Sequence, residues 1–150
     1  MSTPPTIRRI SYAQFLSAPN AQELISAYAA ECLIPDAQPQ HQTYTALEQS
    51  GAFQGFGAYA GDDLVGFVTV VSSVMPHNGK RAATVESVYV SPSHRGSSAG
   101  NALLSAAEQY AAESGCVVIL YTARVDSPFE TVLSRRSGCK ESHTVFSRWL

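Results

Sequence analysis

The first third of the chain has the hydrophobic spacing of helices. Residues 21–33 place apolar side chains at helical intervals behind Asn20, a potential N-cap, and so predict one helix. A shorter helix is predicted over residues 44–49, before Gly51. The short β-branched stretch at residues 6–10 predicts a strand that precedes both helices.

The pattern then changes to strands. FQGFGAYA and LVGFVTVV are two strand-like runs joined by Gly61, Asp62 and Asp63, which predicts a β-hairpin with a polar turn. Residues 82–90, AATVESVYV, predict a third strand that Pro92 ends.

A strand, helix, strand unit is predicted next. Residues 99–114 have a continuous apolar stripe and are followed by Gly115, which suits a left-handed helix cap. CVVILYTA, residues 116–123, is nearly all apolar, which is typical of a strand covered on both faces. A crossover of this length implies that the third strand and this strand are parallel.

The C-terminal residues predict one more helix and one more strand. Ser127 and Glu130 have the spacing of a capping box around Pro128, so a helix should run to about residue 137 and end at Gly138. HTVFSRWL, residues 143–150, predicts a final strand. The whole pattern indicates an α/β (α+β) fold, and the length of 150 residues suits a single domain over 1–150.

Charge and cysteine content narrow the class of protein. The net charge is −2 and no run of Lys or Arg occurs, so neither nucleic acid nor a membrane is the expected partner. The N-terminal MSTPPTIRRI lacks an apolar stretch, and we therefore expect a cytoplasmic protein. Cys32, Cys116 and Cys139 are widely spaced and predict neither disulfides nor a metal site.

The segment HRGSSAG has two interpretations. Its G-x-S-x-G spacing fits a hydrolase nucleophile elbow, with Ser98, Asp126 and His143 in the chain order of a triad. Arg95 and the small residues after it instead fit a phosphate-binding loop. A nucleophile elbow follows its strand directly, whereas residues 91–95 separate Ser98 from the predicted strand. The spacing favours the phosphate loop, and a serine hydrolase stays as an alternative.

The phosphate interpretation has a physical basis. The first turn of a helix presents free N–H groups and a partial positive charge, and Arg95 could fork onto a phosphate oxygen. The glycines let the main chain approach a ligand closely. The candidate cofactor-binding residues here are Arg95, Gly96, Ser97, Ser98, Ala99, Gly100 and Asn101.

The stretch VESVYVSPSHRGSSAGNALL resembles the acetyl-CoA signature of the GCN5-related N-acetyltransferases (GNAT). In that signature a strand ending in V-x-P leads to [R/Q]-x-x-G-x-[G/A] and a helix. Arg95 and Gly100 match its first and last positions, whereas Ser98 stands where the family usually has Gly. A left-handed backbone at Ser98 would cost of order 1 kcal/mol. The resemblance covers residues 54–150 and is loose before residue 50.

The resemblance implies a fold and a cofactor. The fold is a GNAT-like mixed, mostly antiparallel central sheet with helices on both faces. The sheet is splayed at the cofactor site, between the third strand and the CVVILYTA strand. Acetyl-CoA is the implied co-substrate of this acyltransferase.

The resemblance also implies roles along the third strand. The main chain of Val88, Tyr89 and Val90 would bind the pantetheine arm of coenzyme A, with one N–H serving the oxyanion. Glu86 is the candidate catalytic base, and period-two alternation predicts that it shares a face with Val88 and Val90. The alternative is a solvated Glu86 or one that pairs with Arg81.

Two serines occupy positions that differ from the family pattern. Ser134 stands where many members have a Tyr that protonates the departing sulfur, and a serine hydroxyl is a far weaker acid. A thiol with a pKa of about 8.5 can leave as its thiolate near neutral pH with little help. The replacement of the Tyr by Ser134 therefore need not abolish acetyl transfer. Ser127 stands where the family often has a cofactor-binding Asn, although capping its own helix is the alternative.

These observations predict an N-acetyltransferase that moves acetyl from acetyl-CoA to a primary amine of a small molecule or peptide, by direct attack in a ternary complex. Glu31, Asp36 and Glu48 could form an acidic acceptor end. A non-catalytic acyl-CoA-binding module is a second alternative to the enzyme. The sequence leaves a homodimer open.

Overall fold

A computed structural model of the protein describes residues 3–33 and 38–150, which form one mixed sheet flanked by helices. The elements are β1 (Thr6–Ile10), α1 (Tyr12–Ser17), α2 (Ala21–Cys32), α3 (His41–Gln49), β2 (Phe53–Ala60), β3 (Asp63–Val74), β4 (Arg81–Val90), α4 (Ala99–Glu113), β5 (Cys116–Leu120) and α5 (Pro128–Arg135). The strands lie in the order β1-β2-β3-β4-β5, antiparallel except for the parallel β4–β5 pair. The predicted fold class, hairpin and parallel pair are confirmed.

Helix α4 covers one face of the sheet. Its apolar stripe, which includes Leu103 and Ala107, packs on Val68, Val70 and Ala83 of β3 and β4. All five side chains are completely buried. Full burial of one Val or Leu side chain contributes about 1.5–3 kcal/mol, so this contact is a major source of the stability of the sheet.

Helices α1, α2 and α3 lie on the opposite face. Leu24 of α2 packs against Leu64, Phe67 and Tyr89 of the sheet. Helix α1 was missed by the hydrophobic pattern because it has only six residues, and it begins at a capping box on Ser11. The predicted helix at residues 44–49 begins three residues earlier, at the start of α3.

Strands β4 and β5 pair only at one end. Their ladder stops at Thr84 and Leu120, and the remainder of β4 has no strand beside it on that edge within the described residues. The expected splay is therefore present. The N–H of Ser91 donates to the carbonyl of Val65 on β3, so alternation turns the amides of Val88 and Val90 toward the free edge.

Two expectations for the C-terminal region are wrong. Residues 143–150 form no strand, and Phe146 and Trp149 are 90% and 79% exposed. The CVVILYTA strand is not covered on both faces, since Val117 is 60% exposed. It is also shorter than predicted, because β5 ends at Leu120. Alternating apolar residues form a strand only where a neighbouring strand completes the backbone hydrogen bonds. Residues 143–150 have no such neighbouring strand among the described residues.

A polar cluster ties the end of α5 to α4. The guanidinium of Arg136 donates to both carboxylate oxygens of Glu108, and the Tyr121 hydroxyl donates to Oε1 at 2.6 Å. The hydrogen bonds from Arg136 hold the pKa of Glu108 below its ordinary value. Helix α5 ends at Arg135, about two residues before the predicted end.

The helices of residues 3–33 and 38–150 include none that is long and apolar enough to cross a bilayer. In the same residues, no cluster of three or more His, Cys, Asp or Glu side chains could hold a metal ion.

Candidate active site

The loop between β4 and α4 turns tightly through one glycine. Gly96 has a φ of +80°, in the left-handed region that favours glycine. Ser98 has a φ of −73° and is the N-cap residue of α4, so the strain expected for a serine at this position is absent. The left-handed residue of this loop is therefore Gly96, and the departure at Ser98 leaves the backbone unstrained.

The loop presents free amides toward solvent. The N–H groups of Gly96, Ser98, Gly100 and Asn101 have no hydrogen-bond acceptor in the described part of the chain, and α4 has no side-chain cap. Ser97 supports the turn instead, because its hydroxyl donates to the carbonyl of His94 and accepts the Ala99 N–H at 3.2 Å. Free N–H groups at the start of a long helix suit a phosphate or diphosphate.

Arg95 belongs to this loop, and its guanidinium already has partners within the protein. Its Nε donates to the carbonyl of Val90 at 2.8 Å, and one terminal nitrogen lies 2.6 Å from Oε1 of Glu31 on α2. The guanidinium also lies 5.3 Å from the ring centre of Tyr89. These contacts tie the loop to the end of β4 and to α2.

A β-bulge sets the direction of Glu86. Thr69 of β3 pairs with Ser87, whereas Val70 pairs with Val85, so Glu86 is an extra residue in β4. Glu86 and Ser87 consequently both reach Thr69, on the face that carries α1, α2 and α3.

The prediction that Glu86 shares a face of the sheet with Val88 and Val90 is wrong. Val88 and Val90 pack in the core beneath α4, whereas Glu86 lies on the opposite face of the sheet. The bulge interrupts the period-two alternation from which the shared face was expected.

The carboxylate of Glu86 is held by two hydroxyl groups. The Tyr44 hydroxyl donates to Oε1 at 3.0 Å, and the Thr69 hydroxyl donates to Oε2 at 2.7 Å. Ser87 in turn donates to Thr69 at 2.6 Å, since the single Thr69 proton is already given to Glu86. The side chain remains exposed and does not pair with Arg81, which donates to Ser72. Each carboxylate oxygen keeps a lone pair for a further donor.

Glu86 lines a cavity of about 230 Å³ between the sheet and helices α1, α2 and α3. Aromatic side chains make up much of its wall, and Tyr12 stacks on Tyr44 with ring centres 4.8 Å apart. The aromatic wall includes Tyr12, Phe15, Tyr28, Tyr44, Phe53 and Phe67.

The tyrosines of the cavity remain protonated. Burial, followed by the nearby Cys32 and Glu86, raises the pKa of Tyr28 far above its ordinary value of 10. Burial and the Glu86 carboxylate do the same to the pKa of Tyr44. Both phenols are therefore neutral hydrogen-bond donors at any physiological pH.

The two serines that depart from the family pattern lie on α5 and make local contacts. Ser127 caps α5, accepting the N–H of Glu130 at 3.2 Å. Ser134 donates to the carbonyl of Glu130 at 2.8 Å, one turn earlier in the same helix. Neither serine lines the cavity described above.

The hydrolase triad is not assembled. Ser98 lies at the start of α4, whereas the ring of His143 bonds to the neighbouring Ser142 in the exposed C-terminal segment. The unstrained φ of Ser98 also differs from the sharp turn of a nucleophile elbow.

The expected acidic acceptor end is not formed by Glu31 and Glu48. Glu31 pairs with Arg95, and Glu48 accepts the backbone N–H of Tyr12 at 2.8 Å. Neither lines the cavity. Asp36 lies outside the described residues.

Sequence reasoning missed the aromatic cavity itself. Its wall comes from separate segments around Tyr12, Tyr28, Tyr44 and Phe67, and no local pattern links them. One signal was available: Tyr28 and Tyr44 are aromatic residues of two N-terminal helices that must cover the sheet.

Comparison with known families identifies the class. Residues 20–129 match the model of the Acetyltransferase (GNAT) family, and the chain belongs to that family. It is an N-acetyltransferase, and acetyl-CoA is its co-substrate. No curated protein sequence matches the chain significantly.

Solved structures share the fold at low identity. An aminoglycoside acetyltransferase, meta-AAC0020, from an uncultured soil metagenomic sample in complex with sisomicin is 19% identical, with a TM-score of 0.75 over 97% of this chain and 96% of that one. A ribosomal-protein-alanine N-acetyltransferase from Brucella melitensis biovar Abortus 2308 is 22% identical, with a TM-score of 0.72 over 98% and 100%. AAC(6')-Iy in complex with a bisubstrate analog, CoA-S-monomethyl-acetylneamine, is 17% identical, with a TM-score of 0.74 over 99% of each chain.

Proposed function

We propose that the protein transfers the acetyl group of acetyl-CoA directly to a primary amine held in the cavity beside Glu86. The observation on which this depends is the position of Glu86, at a bulge of β4 and at the wall of an apolar cavity. A carboxylate placed there can accept a proton from an amine that enters the cavity.

The described residues fit the coenzyme in two places. The free amides of Gly96, Ser98, Gly100 and Asn101 suit the diphosphate, which they would bind through the main chain. The free edge of β4, where the amides of Val88 and Val90 point away from β3, suits the amide groups of the pantetheine arm. The amide of Tyr89 is not expected to bind the arm, because alternation turns it toward β3, and its buried ring lies 5.3 Å from the Arg95 guanidinium.

Direct transfer needs one bond to form and one to break. The neutral amine nitrogen attacks the thioester carbonyl, a C–N bond forms, the C–S bond breaks, and the sulfur leaves as thiolate. An amine that binds as ammonium first loses one proton to solvent, which makes the nitrogen a neutral nucleophile. The second proton, lost by nitrogen after the attack, passes to Glu86, directly or through one water molecule. An N–H of the free β4 edge would stabilise the developing oxyanion.

The thiolate leaves without a dedicated acid in this proposal. Ser134 donates to the carbonyl of Glu130 within its own helix, and its hydroxyl is a weak acid. A thiol with a pKa of about 8.5 is a tolerable leaving group near neutral pH, and solvent can protonate it afterwards. The Ser127 hydroxyl caps α5, so any cofactor contact would come from its main chain.

The experiment measures CoA release from acetyl-CoA with a panel of primary amines and identifies the acetylated product by mass. We expect Glu86→Gln to lower kcat/KM by about 10²–10⁴-fold while the acetyl-CoA Kd stays unchanged. Glu113→Gln is the matched control, since it removes the same charge from an exposed position of α4 and should leave kcat/KM unchanged.

A Glu86→Gln enzyme with full kcat/KM would contradict the base role. The non-catalytic module makes a different prediction: acetyl-CoA would bind, and no amine of the panel would be acetylated. A ping-pong pattern in the initial rates would contradict direct transfer.

A further inference from the structure

We infer that the acceptor is a monoamine with a single aromatic or similarly compact apolar body on a short arm, such as an arylalkylamine, and not a polycationic amine. The inference rests on the proposed function, because it assigns the cavity beside Glu86 to the amine substrate. It concerns which amine binds there.

The size of the cavity sets the first limit. A cavity of about 150 Å³ with apolar walls binds one benzene ring. The cavity beside Glu86 measures about 230 Å³, which leaves room for one ring and a short arm that ends in nitrogen. Drug-sized ligands occupy pockets of about 300–1,000 Å³. The cavity is open to solvent, so a molecule of several rings would place only one end in it and leave the remainder outside.

The walls set the second limit. Phe15 and Tyr28 both meet Phe67 edge to face, with ring centres 5.1 and 5.8 Å apart, at the sheet side of the cavity. Ile25 and Ala29 of α2 add aliphatic surface. Such walls favour an apolar ring, which can stack or pack by its edge, and they offer few partners to the hydroxyl groups of a sugar.

Charge sets the third limit. Glu86 is the only carboxylate among the described residues that line the cavity, and these lining residues include no Lys, Arg or His. One ammonium group can therefore be matched at Glu86, assisted by the faces of the neighbouring tyrosine rings. A second or third ammonium group inside the cavity would find no further carboxylate among the described lining residues, and burying an unpaired charge is costly.

The geometry also sets the orientation of the substrate. Glu86 belongs to β4, and its carboxylate is fixed by Tyr44 and Thr69 at one side of the cavity. The amine nitrogen should therefore lie at the β4 side, and the ring should lie between α2 and Phe67. This orientation presents the nitrogen to the strand whose free edge suits the pantetheine arm.

The test measures kcat/KM of the wild-type protein for three amines: 2-phenylethylamine, spermidine and neamine. We expect 2-phenylethylamine to exceed both polyamines at least 50-fold. Preferred acetylation of spermidine or neamine would overturn the inference and leave the proposed function intact. Calorimetric titration of 2-phenylethylamine provides a second readout, independent of turnover.

Two α2 variants form a matched pair. Ala29→Leu fills the cavity and should lower kcat/KM for 2-phenylethylamine about 30-fold, with the acetyl-CoA Kd unchanged. Ala30→Leu adds the same side chain at the next, exposed position and should have no effect. Equal effects from both substitutions would contradict the assignment.

A gain-of-function variant protects the test against misfolding. Ile25→Ala enlarges the cavity on its helix side, so the preference for 2-(1-naphthyl)ethylamine over 2-phenylethylamine should rise about tenfold. An unchanged preference would overturn the inference. If no amine is acetylated and 2-phenylethylamine does not bind, both proposals fail. If it binds without turnover, the ligand class stands and the catalytic proposal fails.

Discussion

The loop proposed to bind the coenzyme (the coenzyme loop) follows the end of β4, and the cavity proposed to hold the amine lies between the sheet and helices α1, α2 and α3. The two are built by different means. The loop, residues 91–101, offers backbone N–H groups from one continuous stretch of chain. The cavity offers side chains from α1, α2, α3 and four strands. A backbone site tolerates side-chain replacement as long as the turn and the space above it persist, whereas a side-chain site changes specificity with single substitutions. The following predictions test that contrast.

The largest effect should come from blocking the space above the loop. A Cβ at Gly100 would lie 3.9 Å from Cγ2 of Val90, so Gly100→Leu can be accepted by the fold while its side chain covers the end of the free β4 edge. We expect acetyl-CoA to bind at least 100-fold more weakly, a loss of about 2.7 kcal/mol or more. Isothermal titration measures it.

Gly61→Asn is the control for that substitution. Gly61 has a φ of +63° in the β2–β3 turn, a conformation that asparagine tolerates, and it lies away from the coenzyme loop. Its acetyl-CoA affinity should equal that of the wild type. Unimpaired binding by Gly100→Leu would contradict the position assigned to the coenzyme.

A smaller effect should come from one hydroxyl group in the cavity. Tyr44→Phe keeps the ring stack with Tyr12 but removes the donor that lies 3.0 Å from Glu86. A hydrogen bond to a charged group contributes about 1.5–3 kcal/mol, and partial exposure reduces this value, so we expect about a tenfold loss of kcat/KM. The acetyl-CoA Kd should not change. A loss of coenzyme affinity in this variant would mean that the two sites are not separate.

The contact between the two regions should have a modest effect. Glu31 on α2 pairs with Arg95 of the loop, and the two side chains are 47% and 44% exposed. Exposed ion pairs contribute about 0–1 kcal/mol. Glu31→Gln frees the guanidinium for a phosphate, so acetyl-CoA should bind up to about fivefold more tightly at low salt. A tenfold weaker Kd would instead show that the pair supports the loop structurally.

The smallest effect is expected at the serine whose role the sequence left open. Ser98→Ala keeps the free N–H and the helical φ of −73°. Both kcat/KM and the acetyl-CoA Kd should stay within about twofold of the wild type, because alanine keeps the main-chain donor and loses only the capping preference of serine. Complete inactivation would revive a nucleophilic role for this residue.

The sequence predicted the turn that precedes α4, whereas it did not predict the cavity, for a physical reason. Gly96 and the start of α4 determine the loop through local backbone preferences, which residues 91–101 specify by themselves. The cavity depends on tertiary packing of separate helices. A single bulge also moved Glu86 to the opposite face, and no local pattern marks where a ladder gains one residue.

Strands β2, β3 and β4 and helix α4 were predicted where apolar side chains pack in the core. Burial is nearly continuous along β2 and β3, whereas it partly alternates along β4. The errors fall where neighbours decide the outcome. Val117 belongs to an apolar run yet is exposed on an edge strand, and Phe146 and Trp149 alternate without a partner strand. Helix α1 was missed although Ser11 and Gln14 have capping-box spacing.

A crystal structure of the protein with CoA and 2-phenylethylamine tests the central claim most directly. The account predicts the diphosphate within hydrogen-bond distance of the Gly96, Ser98, Gly100 and Asn101 amides, pantetheine along the β4 edge, and the amine nitrogen next to the Glu86 carboxylate. A nucleotide bound elsewhere, or an amine outside the cavity between β4 and α2, would contradict it.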